Sequence, residues 1–111
     1  MASKNVHELN DLNFDALVSG APGPVLVDFT ARWCPPCRAL SPLVERVAER
    51  LDGLTVGTVD VDDCPELASR FGIRGMPTLV VFEFGQETAR HMGLTSEKGI
   101  VALLGDLHTP S

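Results

Sequence analysis

Residues 32–38 read RWCPPCR. Cys34 and Cys37 are three residues apart, a spacing that suits two chemistries, a reversible disulfide or half of a zinc site. Four-coordinate zinc needs two further ligands, and the remaining candidates, Cys64, His7, His91 and His108, stand alone with no second C-x-x-C or closely spaced histidine pair among them. No metal is therefore expected. Asp60, Asp62 and Asp63 loosely suggest a calcium loop, but that loop's glycine and closing glutamate are missing, so an acidic strand end is the simpler reading. Cys64 is read as a packing residue, with a regulatory thiol as the alternative. Asp28 is the one charged residue in the otherwise apolar run VLVDFT. It is either a strand-end carboxylate reaching water or a desolvated one, its pKa raised, placed beneath the cysteines to exchange a proton with a buried thiol.

The elements that must position these groups alternate in type. NVHEL, residues 5–9, suits a short first strand, and DLNFDALVSG suits a helix capped by Asp11 and stopped at Gly20. VLVDFT, residues 25–30, has the continuous apolar and β-branched character of a strand buried on both faces. Leu40, Leu43, Val44, Val47, Ala48 and Leu51 form the stripe of an amphipathic helix that begins at the cysteines and ends near Gly53. A strand is expected over 54–61, a short helix over 64–72, a hairpin of strands 78–84 and 87–93 turning at Gly85-Gln86, and a closing helix over 96–107. The order β-α-β-α-β-α-β-β-α describes an α/β fold with a central mixed sheet flanked by helices on both faces.

In this frame Cys34 falls at the N-cap of the long helix and Cys37 in its first turn, on one face, so the sulfurs can meet. Pro35 and Pro36 forfeit no ladder bond there, because the first four N–H groups of a helix have no intrahelical acceptor. The free N–H groups and the positive end of the helix dipole favour an anion, the Cys34 thiolate. Replacing Pro35 by glycine would restore an N–H able to point at that thiolate and would loosen the dithiol. Both effects oppose the disulfide.

A chain of 111 residues, 44% hydrophobic and 22% charged, suits one globular domain over 1–111, with 108–111 a frayed tail. A net charge of −6 is the wrong sign for neutralising phosphates, which argues against nucleic acid and anionic membranes. No apolar run reaches the roughly 18 residues of a membrane span, and MASKNVHELND lacks a secretory h-region. The expected location is cytoplasmic. Three cysteines make a secreted disulfide framework a poor fit.

VLVDFTARWCPPC, SPLVERVA and FGIRGMPTLVVF resemble, in order and separation, the diagnostic blocks of the thioredoxin family, and the likeness runs from about residue 5 to 107. The resemblance implies that Cys34 is an exposed attacking thiol, Cys37 the buried resolving thiol, Trp33 a residue packed beside them, and Asp28 a buried carboxylate. It also implies that Pro77 is a cis-proline facing the disulfide, that Met76 offers backbone hydrogen bonds to substrate, that Gly75 and Gly93 line the same groove with Pro35 and Pro36, and that Pro42 kinks the long helix. Three positions depart from the family. Pro35-Pro36 replaces the usual Gly-Pro, Thr30 stands where an aromatic residue is common, and Thr58 stands where a lysine often neighbours the aspartate.

The implied activity is a monomeric protein-disulfide reductase that needs no bound cofactor, is recycled by an NADPH-dependent thioredoxin reductase, and serves targets such as peroxiredoxins and methionine sulfoxide reductases. An oxidase or isomerase of the same fold and a redox-inert binding module are the alternatives. The reduction potential separates the first two. The scale runs from about −270 mV for thioredoxin to about −120 mV for the oxidant DsbA.

Overall fold

The computed structural model describes residues 5–105. Strand β2 (Val25–Thr30) is the centre of a five-stranded sheet. On one side it pairs in parallel with β3 (Thr55–Asp60), which pairs in parallel with β1 (Val6–Leu9). On the other side it pairs antiparallel with β4 (Thr78–Glu83), and β4 pairs antiparallel with β5 (Gln86–Met92). The mixed sheet expected from the alternating elements is the one observed.

Alternation along β2 explains how the run VLVDFT can be apolar almost throughout. Val25, Val27 and Phe29 face the layer of α1 (Phe14–Gly20) and α3 (Pro65–Arg70), where they pack with Phe14, Val18 and Leu67. Leu26 faces the opposite layer of α2 (Pro35–Arg50) and α4 (Glu97–Leu104), against Leu40, Val44, Val47 and Ile100. Phe14, Phe29, Phe71 and Phe82 form an aromatic cluster on the first face, with neighbouring ring centroids 5.2–6.0 Å apart. With helices on both faces, β2 must be apolar in both directions.

Several boundaries differ from expectation. Asp11 does not cap α1. Asn13 occupies the N-cap, while the Asn10 side chain accepts from the Leu12 and Asn13 N–H groups, an Asx turn that delays the helix to Phe14. Helix α2 stops at Arg50, and Gly53 (φ +82°) belongs to the turn that follows. Ser96 caps α4, accepting the Gly99 N–H at 3.1 Å, and the helix closes at Gly105 rather than at 107. The hairpin turns at Phe84-Gly85, one residue before the expected pair. Both residues have positive φ, as the favoured two-residue hairpin turn demands. The expected tail, 108–111, lies outside the described residues. Among those described, no helix is long and apolar enough to cross a membrane.

Candidate redox site

β2 ends at Thr30, and the chain turns through Ala31–Trp33 into α2. The site thus lies off the carboxyl end of a central strand, where open α/β sheets place their ligands. Cys34 is the N-cap of α2, with extended backbone angles (φ −94°, ψ 110°), and its Sγ accepts the Cys37 N–H at 3.3 Å. Pro35 and Pro36 fill the first two helical positions, so the Cys37 amide is the first helical N–H able to reach the cap. Cys34 and Cys37 are joined in a disulfide, their Cα atoms 5.2 Å apart.

Cys34 is not exposed. Only 3% of the residue is accessible against 1% for Cys37, because Ala31, Val61 and Met76 close over the pair. In the disulfide form this corrects the expectation of an open attacking thiol. What is exposed is the rim. Trp33 is 61% accessible, yet its indole is held, Nε1 donating to Asp62 Oδ2 at 2.8 Å. Asp62 was not singled out by sequence, since its carboxylate reads as one of three in an acidic strand end. Arg32 neutralises the same segment, pairing with Asp60 at 3.4 Å and Asp63 at 2.8 Å.

The loop before β4 faces the disulfide. The Met76–Pro77 peptide bond is cis, and the Met76 carbonyl oxygen lies 3.7 Å from Cys34 Sγ. Thr78 Oγ1 donates to the Gly75 carbonyl at 2.7 Å, and the Gly93 N–H donates to the Pro77 carbonyl at 2.8 Å, so Gly75, Pro77 and Gly93 belong to one braced segment. A Cβ on Gly75 would come within 3.0 Å of Met92 Sδ. Met92, 63% exposed, is a rim residue with no distinguishing sequence signal.

Behind the disulfide lies Asp28, only 2% accessible. Its Oδ1 has no hydrogen-bond partner, and burial pushes its pKa up to about 7. Of the two readings open in sequence, the desolvated carboxylate is the one observed. Thr58, its register neighbour on β3, donates through Oγ1 to the Asp28 backbone carbonyl at 3.3 Å and not to the carboxylate. Asp28 and Cys37 both line a groove of about 690 Å³ between the sheet and α2. Ser41 Oγ donates to the Cys37 carbonyl at 3.0 Å, and Pro42 lies inside the uninterrupted helix. Cys64 is buried against β1, 3% accessible, as a packing residue would be. Among the described residues no cluster of three or more His, Cys, Asp or Glu side chains is placed to hold a metal ion.

The family model described as Thioredoxin matches residues 5–106. This chain is a member of the thioredoxin family. It is 41% identical over 100 residues to the thioredoxin of Alicyclobacillus acidocaldarius, covering 89% of this chain and 94% of that protein. It is 44% identical over 101 residues to the bifunctional thioredoxin reductase/thioredoxin of Mycobacterium leprae, of which it spans 21%. The solved structure of a single-site mutant of the thioredoxin from Halobacterium salinarum superposes with a TM-score of 0.88 at 34% identity, over 100% of this chain and 98% of that one. The thioredoxin fold and a thiol–disulfide oxidoreductase site are thereby established for this family member.

Proposed function

We propose that the chain is an electron carrier that reduces disulfides in other proteins. In the reduced form the Cys34 thiolate, stabilised by the Cys37 N–H and the start of a 16-residue helix, attacks one sulfur of a substrate disulfide. The other substrate sulfur leaves as a thiolate. Cys37 loses its proton to Asp28 and attacks Cys34 Sγ, which expels the second substrate thiolate and closes the Cys34–Cys37 bond. Two electrons pass from the dithiol to the substrate. Trp33, Pro35, Pro36, Gly75, Met76, Pro77 and Gly93 are assigned to the docking surface, with the Met76 backbone pairing to an extended substrate segment. The single observation that carries this reading is the disulfide at the cap of α2, with its sulfur already accepting a helix-start amide.

An NADPH-dependent thioredoxin reductase is the proposed source of electrons. A relative whose name joins reductase and thioredoxin in one chain supports that pairing. Peroxiredoxins and methionine sulfoxide reductases are the proposed kinds of target. The protein is read as a single-domain cytoplasmic monomer over 1–111 that works without a bound cofactor.

Trapping tests the roles. Cys37→Ser is expected to accumulate mixed disulfides with protein substrates through Cys34, and Cys34→Ser is not. Equal trapping by both variants rules out the assignment. The direction is read from the potential, expected near the reductant end of the scale in a glutathione or dithiothreitol titration.

A further inference from the structure

The groove behind the disulfide carries more charged groups than the one carboxylate that thiol exchange uses. Glu8, Thr58 and Asp28 lie side by side across β1, β3 and β2, on the sheet face that meets α2. Glu45 on α2, with Asp60 and Asp63 at the strand end, adds three more carboxylates to the lining. Two guanidiniums share the lining: Arg32 neutralises Asp60 and Asp63, which leaves Glu8, Glu45 and Asp28 as the uncompensated carboxylates, and Arg38 is held by the Arg32 carbonyl at 2.6 Å. Asp28 Oδ1, at the floor, is left with no donor. Elsewhere in the molecule the candidates are weaker. Cys64 is a lone packed thiol, and the exposed Leu12 and Phe84 are isolated turn residues.

We propose that this groove binds a short aliphatic primary ammonium ion, its –NH3+ donating to the Asp28 carboxylate and its methylenes resting on Val44 and Pro42. Three features select that class. A single orphaned carboxylate oxygen suits a point-charge donor better than the two-pronged guanidinium fork. A divalent metal would need several oxygen ligands together, and no such cluster exists among the described residues. The apolar share of the lining suits a hydrocarbon stem, and about 690 Å³ falls within the range of small-molecule pockets.

Binding is linked to protonation. The ammonium favours the ionised carboxylate, so it lowers the pKa of Asp28, and by reciprocity raising the pH tightens the ligand. The charged and titratable groups that share the groove with Asp28 are Glu8 on β1, Asp60 at the end of β3 with Asp63 and Cys64 after it, Arg32 before α2, and Cys37, Arg38 and Glu45 on α2, with His91 on β5 beyond Leu79 in the same row. Resolved carboxyl signals separate Asp28 from the other acids.

The test is a ¹³C NMR titration of the carboxyl groups of the oxidised full chain, in n-butylammonium chloride and in sodium chloride at equal ionic strength. Butylammonium is expected to lower the Asp28 midpoint by one pH unit or more, a tenfold loss of proton affinity, and sodium is not. Amide shifts should map to Thr58, Ser41 and Glu45 and disappear in Asp28→Asn. Thr58→Lys should supply the ammonium from within, lowering the midpoint unaided and abolishing the response to butylammonium. Should that variant not fold, the wild-type comparison of the two salts decides alone. An equal effect of both salts, a response that survives Asp28→Asn, or shifts confined to the Trp33 and Met76 face would overturn the proposal.

Discussion

Asp28 combines near-complete burial with an unpaired oxygen, and both raise the energy of its charged form. Its ordinary value of 3.8 is raised to about 7 in the folded chain, so between those values the native state holds a proton that the unfolded chain has released. Stability must therefore fall as pH rises through that window, with the full loss present above about 7. At about 1.4 kcal/mol per unit the loss is on the order of 4 kcal/mol. Asp28→Asn removes the titration, so its advantage over wild type should grow from pH 4 to pH 8 in urea unfolding; a difference independent of pH would mean that the carboxylate is solvated. The same change should slow resolution of the mixed disulfide most at low pH, where deprotonation of Cys37 limits the rate. The sequence made Asp28 legible as an anomaly because one charge interrupts an apolar strand. It could not give the burial of Cys34, since Val61 and Met76, which help cover it, come from distant segments and carry no mark of that role. Asp62 escaped for a related reason: its value lies in one bond to an indole 29 residues away in sequence.

Elements were legible where a period runs long enough to be unambiguous. The stripe from Leu40 to Val47 specifies α2, and the alternation of β2 between two helical layers explains why its run is apolar at every position but Asp28 and Thr30. Ends were less legible, because Asn10, Asp11 and Asn13 are all competent caps and only the backbone selects among them. The Phe84-Gly85 turn is instructive: Phe84 adopts φ +53° and is 72% exposed, so it bears left-handed strain with little burial in return. Phe84→Asn, which tolerates that region, should stabilise the protein by about 0.5–1 kcal/mol in chemical denaturation. A loss of stability would show that the ring does work the exposure conceals. At the start of α2 the structure also revises the account of the double proline. Cap side chains accept from the second or third helical amide, and those positions are Pro36 and Cys37. Pro35→Gly would therefore not restore the missing cap donor; its effect is the added freedom of the dithiol alone, about 0.4–1 kcal/mol. At 30 mV per 1.4 kcal/mol the reduction potential should rise by about 10–20 mV, measured against wild type in one redox buffer. A fall would mean that the consecutive prolines hinder the disulfide instead of favouring it.

At the scale of the whole molecule the disulfide separates two surfaces of opposite character. Behind it is the carboxylate-lined groove. In front are Trp33 and Met92, among the most exposed large apolar side chains, on a protein whose net charge is −6. Scattered exposed hydrophobics need no explanation, but apolar side chains flanking a reactive bond that is itself covered supply contact area where a protein substrate must sit. Small disulfide reagents make little use of such a surface, whereas a protein disulfide has to be oriented over Cys34 before exchange can begin. Met92→Glu places a charge on that front without touching the cysteines, Pro77 or Asp28. The expected result is a roughly tenfold lower kcat/KM toward a protein disulfide, equivalent to about 1.4 kcal/mol of lost transition-state binding, with the rate toward a small aromatic disulfide changed less than twofold. Equal losses on both substrates would move the effect from docking to the chemistry of the disulfide, and no loss on either would remove Met92 from the docking surface.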